Sequence, residues 1–183
     1  MDGNGRWATK KNLKRKEGHK QGIKNCIKLI DNLEKIEFKI NELSFYVFSS
    51  ENWKRSPSEI KNLFKLIEDY YYEFETTANK RKLKIRHFGS RRKLSSKILK
   101  IIDTVTINTQ KNKGTCINLV FNYGSHDEIV NAFKKIKGGK ISKEKISQNL
   151  YTANSTELDA IIRTGGDMRL SNFMLWQSAY SEL

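Results

Sequence analysis

The stretch Leu43-Ser44-Phe45-Tyr46-Val47-Phe48-Ser49-Ser50-Glu51-Asn52-Trp53-Lys54-Arg55-Ser56-Pro57-Ser58-Glu59 decides the fold class. Its first six residues are compact and aromatic-rich, which is the signature of a strand. Ser49 to Arg55 is a polar cluster of hydroxyls, an amide, an indole and an arginine. Ser56 and Glu59 then make a capping box with Pro57 at the first helical position, and Ile60, Leu63, Phe64, Ile67, Tyr71 and Phe74 follow at helical spacing. Open α/β sheets place ligand sites at the C-terminal ends of their strands. An ordinary strand-to-helix loop would carry the same residues.

Working outward, the alternation continues. Leu83 to Phe88 reads as a strand, Arg91 to Thr104 as a helix, and Cys116 to Phe121 as a buried strand. Ser125 and Glu128 look like a second capping box, opening a helix through Ile129, Val130, Phe133 and Ile136 that stops at Gly138-Gly139. A short helix around Ile146 to Tyr151 and a strand from Leu158 to Ile162 follow. Upstream, a basic run from Lys10 to Lys20 contains Arg15 and His19, and Ile23, Ile27, Ile30 and Leu33 share one helix face. Such alternation predicts an α/β domain, a mostly parallel sheet with helices on both faces.

Composition bounds the class. The chain has 183 residues, enough for one domain with a sizeable core. Only 37% are hydrophobic and 30% are charged, so the core is thin or completed by something else. A net charge of +15 raises an anionic partner. Cys26 and Cys116 stand far apart without a CxxC pair, so neither a disulfide framework nor a zinc site is indicated, and a reducing, cytoplasmic setting fits. No apolar run approaches the ~20 residues needed to span a bilayer.

Two further clusters carry chemistry. Asp2-Gly3-Asn4-Gly5-Arg6-Trp7 is a poor helix and suits an anion loop, although a bare surface turn would carry the same residues. Glycine lets backbone N–H groups approach a phosphate, Arg6 can grip it, and Asp2 can hold a divalent cation against it. Arg163-Thr164-Gly165-Gly166-Asp167-Met168-Arg169-Leu170-Ser171-Asn172 is a second phosphate cradle after the expected strand, with Ser171 at an expected helix start. Three strand ends therefore each join an arginine to glycine, serine or asparagine.

These residues resemble the cis-prenyltransferases, and closely the bacterial undecaprenyl diphosphate synthases (isoprenyl transferases). The resemblance rests on Met1 to Ala8, Gly18-His19, Phe48 to Arg55, Asn122-Tyr123-Gly124, and Arg163 to Glu182 with Ser171-Asn172-Phe173 and Leu175-Trp176-Gln177. It implies a six-stranded, mostly parallel sheet flanked by helices around a hydrophobic tunnel, and a homodimer. The implied enzyme is a Mg²⁺-dependent transferase that condenses isopentenyl diphosphate in cis onto an allylic diphosphate such as farnesyl diphosphate. Its product would be a long polyprenyl diphosphate, a carrier precursor for cell-wall synthesis, delivered to the membrane from a cytoplasmic or membrane-peripheral enzyme.

Carried over residue by residue, Asp2 would handle Mg²⁺ with Glu182 as second metal residue. Asp2, Asn52 and His19 would be catalytic. Gly3, Asn4, Gly5, Arg6, Trp7, Arg15 and Arg55 would hold the allylic diphosphate, with His19 beside it. Arg163, Arg169 and Ser171 would hold isopentenyl diphosphate, oriented by Ser49, Ser50, Glu51, Asn52 and Trp53. Phe64 and Phe74 would line the tunnel. Family members usually carry a strand before the Met1-Asp2 motif and an aromatic segment, a helix and a basic tail beyond Leu183, so a single domain lacking its first strand and last helix is expected over 1–183. The chain also stops, on this reading, inside a helix. Asp167 stands where glutamate is more usual. The alternatives are a non-catalytic partner subunit of the same family and a basic nucleic-acid-binding module.

Overall fold

Three strands, β1 (Glu42–Ser49), β2 (Lys84–Phe88) and β3 (Cys116–Tyr123), lie in the order β1-β3-β2, all parallel. The computed structural model describes residues 2–136 and 138–183. Register is set by burial. β3 is the central strand and buries seven of its eight residues, whereas the edge strands bury only Phe45 and Phe48 in β1 and Ile85 and Phe88 in β2. Ile117, Leu119 and Phe121 meet one helical layer, and Val120 and Tyr123 meet the chain that returns across the other face.

Before the sheet come α1 (Asn4–Lys10) and α2 (Arg15–Asp31). α3 (Pro57–Lys80) and α4 (Ser96–Thr109) are the parallel crossovers, and α5 (Ser125–Lys135) and α6 (Lys143–Ser147) follow β3. Cys26, Ile30 and Leu33 from the α2 side meet Ala78, Leu83 and Ile85, with Phe45, Ile117 and Val105, in the larger core cluster. Next to it, Phe48, Leu94, Ile98 and Phe121 close the layer towards the strand ends. On the opposite face Phe88, Val120, Tyr123 and Met174 pack together, covered by Tyr151, Leu158 and Phe173 rather than by a regular helix.

Several local expectations change. The opening motif is not a free loop: Gly3, at φ 83°, caps α1, and Trp7 N–H returns to the Gly3 carbonyl at 2.8 Å. Tertiary packing overrides the poor propensity of Asn4 and Gly5, because α1 lies on α2 at its two small residues. A Cβ on Gly18 would sit 2.1 Å from the Asn4 carbonyl oxygen, and one on Gly22 would sit 2.3 Å from the Asn4 amide.

Neither capping box forms as written. Ser56 caps α3, accepting the Glu59 N–H at 3.3 Å, but the Glu59 carboxylate turns to Arg55. At α5 the cap is Gly124 and no side chain caps it. Ser125 is buried and accepts the Leu175 N–H at 3.1 Å, while buried Glu128 accepts from Tyr123 Oη, the Tyr151 N–H and Gln177. α5 ends at Lys135, ahead of Gly138 and Gly139, which both hold left-handed backbone.

The strand expected at Leu158 to Ile162 shrinks to one parallel bridge, Ala160 to Glu182, made by Ile161 N–H to the Glu182 carbonyl (2.8 Å) and Glu182 N–H to the Asp159 carbonyl (2.9 Å). A strand needs a neighbour for its backbone groups, and Ile162 is 87% exposed. Glu182 is thus extended, not helical, and among the described residues three strands pair rather than six. Ser171 does not start a helix; Ser171, Asn172 and Met174 all have positive φ, a tight left-handed turn that must be held from outside.

The Gly18 contact gives a stability test. Gly18→Val drives a side chain into a backbone carbonyl that cannot rotate away, and overpacking of this kind costs about 1–3 kcal/mol. A urea melt should show a lower midpoint at unchanged slope; an unchanged midpoint would mean α1 is not clamped on α2.

Candidate active site

Each arginine of the opening and closing motifs finds a carboxylate, and the same two carboxylates join both motifs. Asp2 Oδ1 accepts the Gly3 N–H at 2.7 Å, while Oδ2 receives Arg163 Nε and Nη2 at 3.0 and 2.9 Å. Asp2 N–H donates to Thr164 Oγ1 at 3.2 Å, and a Cβ on Gly165 would fall 2.5 Å from the Asp2 carboxyl carbon. Only glycine at 165 lets Asp2 lie flat on that segment. Asp167 then collects Arg6 at 2.8 Å, Arg169 at 3.3 Å and Arg163 at 3.6 Å. Residues 161 positions apart in sequence are one electrostatic unit.

Arg163 also stabilises the turn behind it. Its Nη1 donates to Ser171 Oγ at 3.0 Å and to the Arg169 carbonyl. Asn172 ties the turn to two other elements: its carbonyl accepts Ser125 N–H, its Oδ1 accepts His126 N–H at 2.9 Å, and its Nδ2 donates to Glu51 at 2.7 Å. Phe173 stacks on Tyr46 of β1 with centroids 4.5 Å apart. These contacts bring the Ser49 to Arg55 cluster beside the turn.

That cluster is a short 3-10 helix, Ser50–Lys54, capped reciprocally by Ser49 and Asn52, with Asn52 Oδ1 accepting the Ser49 N–H at 3.1 Å. Trp53 Nε1 donates to Asn122 Oδ1 at 2.8 Å, and the rings of Phe48, Trp53, Phe64 and Phe121 pack with centroids 5.3–5.6 Å apart. Phe74 instead packs lower down against the larger core. Asn122, itself at φ 54°, donates to the Ser90 and Arg92 carbonyls at 2.8 Å each.

A second arginine group lies to one side. Arg55 Nη1 donates to Glu59 at 2.7 Å, and Arg15 Nε lies 3.6 Å from the same oxygen. Gly5 abuts Arg15, since a Cβ there would be 3.0 Å from Arg15 Nε, which connects this group to α1. His19, half-buried on α2, faces it. Burial, then the charges of Arg15 and Arg55, hold its imidazole below the usual value against the opposing pull of Glu59, so it is neutral at pH 7. Trp7 is 41% exposed on α1.

The sequence pattern did not single out Asn172, Glu59 or Asp167 as organising groups. Asn172 enters the sequence reading only within the Ser171-Asn172-Phe173 match, which assigns it no contacts. Glu59 looked like a cap because its spacing satisfies the capping box as well as an i,i+4 pair with Arg55.

Metal chemistry can be tested on the donor set. Among the described residues no three His, Cys, Asp or Glu side chains gather. Glu182 is exposed on the bridged segment. A protein-only cage is therefore not the arrangement. Mg²⁺ keeps water and takes one or two carboxylates plus substrate phosphates. Asp2 fits that donor set, because Oδ1 accepts only one N–H and a carboxylate has lone pairs to spare.

The residues of a family model described as "Putative undecaprenyl diphosphate synthase" match this chain over 1–183. The isoprenyl transferase of Leptospira interrogans is 42% identical over 193 aligned residues, covering all of this chain and 79% of that protein. The chain belongs to the cis-prenyltransferase family. The isoprenyl transferase of Treponema denticola is 41% identical, covering all of this chain and 81% of that protein. Among solved structures, lavandulyl diphosphate synthase from Lavandula x intermedia, in complex with dimethylallyl diphosphate, superposes with a TM-score of 0.92 at 26% identity, over all of this chain and 82% of that one. A "probable undecaprenyl diphosphate synthase" from Campylobacter jejuni gives a TM-score of 0.78 at 34% identity, over 85% of this chain and 77% of that one. The chain is thus a prenyltransferase with the α/β fold of that family, and no described helix is long and apolar enough to cross a membrane.

The Asp2 carboxyl offers a direct check. Burial alone would raise it, but the Arg163 and Gly3 hydrogen bonds and the charges of Arg163 and Arg6 hold it below its ordinary 3.8. A carboxyl lowered on folding contributes stability above its unfolded pKa, and that contribution is lost as pH falls through the folded value. Carbon-detected NMR should place the Asp2 midpoint below 3.8, moving upward in Arg163→Gln. A midpoint at or above 3.8 in the unsubstituted protein would contradict the pairing.

Proposed function

We propose that this prenyltransferase adds isopentenyl diphosphate units in cis to an allylic diphosphate, with farnesyl diphosphate as primer, making a long polyprenyl diphosphate for the cell-wall lipid carrier. The observation that carries the reading is the convergence of Arg6, Arg163 and Arg169 on Asp2 and Asp167, with Arg15 and Arg55 on Glu59 next to it. Two arginine clusters joined through α1, which carries both Arg6 and the Gly5 that abuts Arg15, suit two diphosphates side by side.

The allylic C–O bond breaks with its electron pair leaving on the diphosphate, a C–C bond forms to the isopentenyl double bond, and a proton leaves the new chain. Positive charge stabilises the departing diphosphate more than the bound one, so arginines at that point lower the barrier. Arg6, Arg15 and Arg55, with the backbone of Gly3, Asn4 and Gly5 and the indole of Trp7, hold the allylic diphosphate. Arg163, Arg169 and Ser171 hold isopentenyl diphosphate. Asp2 would hold Mg²⁺, with Glu182 as second carboxylate, and the ion when bound would neutralise phosphate charge. Neutral His19 sits beside the allylic diphosphate as proton-handling partner. Asn52 orients the homoallylic substrate near its departing proton, framed by Ser49, Ser50, Glu51 and Trp53. Phe64 lines the path of the growing chain, while Phe74 anchors the same helix on the larger core. The enzyme works as a homodimer in the cytoplasm and passes its product to the membrane.

Lavandulyl diphosphate synthase, bound to dimethylallyl diphosphate, supports an allylic diphosphate as the substrate class. Arg169 separates the two sites. Its side chain is 66% exposed and, among the described residues, meets only Asp167, at 3.3 Å, which leaves its other edge open to a ligand. Arg169→Ala should raise KM for isopentenyl diphosphate by about 1.5–3 kcal/mol in apparent binding, the range for one charged hydrogen bond, and leave KM for farnesyl diphosphate nearly unchanged. Steady-state kinetics with each substrate varied in turn decides it; equal weakening of both would mean the two diphosphate sites are exchanged.

A further inference from the structure

Glu59 stands where its sequence pattern does not put it. Its backbone takes part in the α3 cap while its carboxylate is spent on Arg55 and Arg15, at 2.7 and 3.6 Å. The Glu59 side chain is only 19% exposed, whereas Arg55 and Arg15 are 33% and 61% exposed. Two arginines from different helical starts therefore share an anion, and that anion belongs to the protein. His19 feels all three charges. A guanidinium has five N–H donors in a fork, so Arg55 can serve Glu59 through Nη1 and still offer its remaining edge to a phosphate.

We propose that Glu59 is a resident counter-ion for the allylic diphosphate arginines, holding Arg15 and Arg55 between turnovers and opposing retention of the pyrophosphate that each condensation leaves behind. This rests on the assignment of Arg15 and Arg55 to the allylic site. Two effects compete. Pre-orienting Arg55 favours diphosphate binding, but a single i,i+4 pair whose arginine is still one-third exposed orders that side chain only weakly. Like-charge repulsion between a partly buried carboxylate and a multiply charged diphosphate on the same guanidinium is the larger effect. The net role of Glu59 is to loosen the anion. Pyrophosphate must clear this site before the lengthened chain can occupy it, so a weaker grip favours the next round.

The test is calorimetric titration of inorganic pyrophosphate with Mg²⁺ into the full chain and into Glu59→Gln, Glu59→Asp and Arg55→Ala, with thermal melts alongside. Glu59→Gln should bind pyrophosphate roughly five- to tenfold more tightly, with product inhibition strengthened in proportion. Glu59→Asp should stay near the unsubstituted value, and Arg55→Ala should bind more weakly. Should Glu59→Gln not fold, Glu59→Ala carries the same expectation. Unchanged or weaker binding in the charge-removed variant, with Arg55→Ala weakened, would overturn the counter-ion role and leave the allylic site intact. No effect of Arg55→Ala would overturn the assignment of that site, and the inference with it.

Discussion

The contact on which the site depends is the ion pair between Asp2 and Arg163. It joins the opening motif to a segment that arrives after β3, and Arg6 and Arg169 meet the same group of carboxylates. Arg163 uses its remaining nitrogen on Ser171 and on the Arg169 carbonyl, so one guanidinium fixes the carboxylate of one motif and the turn of the other. The pair is partly exposed, and its value lies in geometry rather than in bulk stability.

Support for that contact comes from packing. α1 keeps Asp2 in place because Gly18 and Gly22 let the Asn4 backbone and amide press directly onto α2. On the other side, Phe173 on Tyr46 and the three hydrogen-bonding groups of Asn172 hold a turn whose residues sit in left-handed backbone. Such strain persists only where surrounding contacts over-determine it, and it gathers at sites that must present side chains in fixed directions. The scaffold beneath is conventional, a parallel sheet whose central strand is buried on both faces.

Much of this was legible in the sequence. α3 was readable because Ser56, Pro57 and the apolar spacing from Ile60 to Phe74 agree with one another, and β1 and β3 because their aromatic and branched runs have no helical alternative. The opening helix was not legible: Gly3, Asn4 and Gly5 vote against it locally, and only contact with α2 reverses the vote. Ile161 and Ile162 read as a buried strand from their side chains, but pairing depends on a neighbour that no local pattern reveals. Glu128 and Glu59 show the same limit for spacing. A glutamate three residues after a serine can cap a helix, close a buried polar network or pair with an arginine, and the choice is made by distant residues such as Tyr123, Gln177 and Arg15.

The residue types at the site were readable from their chemistry; the carboxylates that hold the arginines, Asp2 and Asp167 on one side and Glu59 on the other, required three dimensions. The most direct measurement of the proposed reaction is incubation of the protein with farnesyl diphosphate, carbon-13-labelled isopentenyl diphosphate and Mg²⁺, followed by mass analysis and NMR of the product. Chains lengthened by whole isoprene units with every new double bond cis are the predicted result. A folded protein that binds both diphosphates yet forms no new carbon–carbon bond, or forms trans ones, would contradict it.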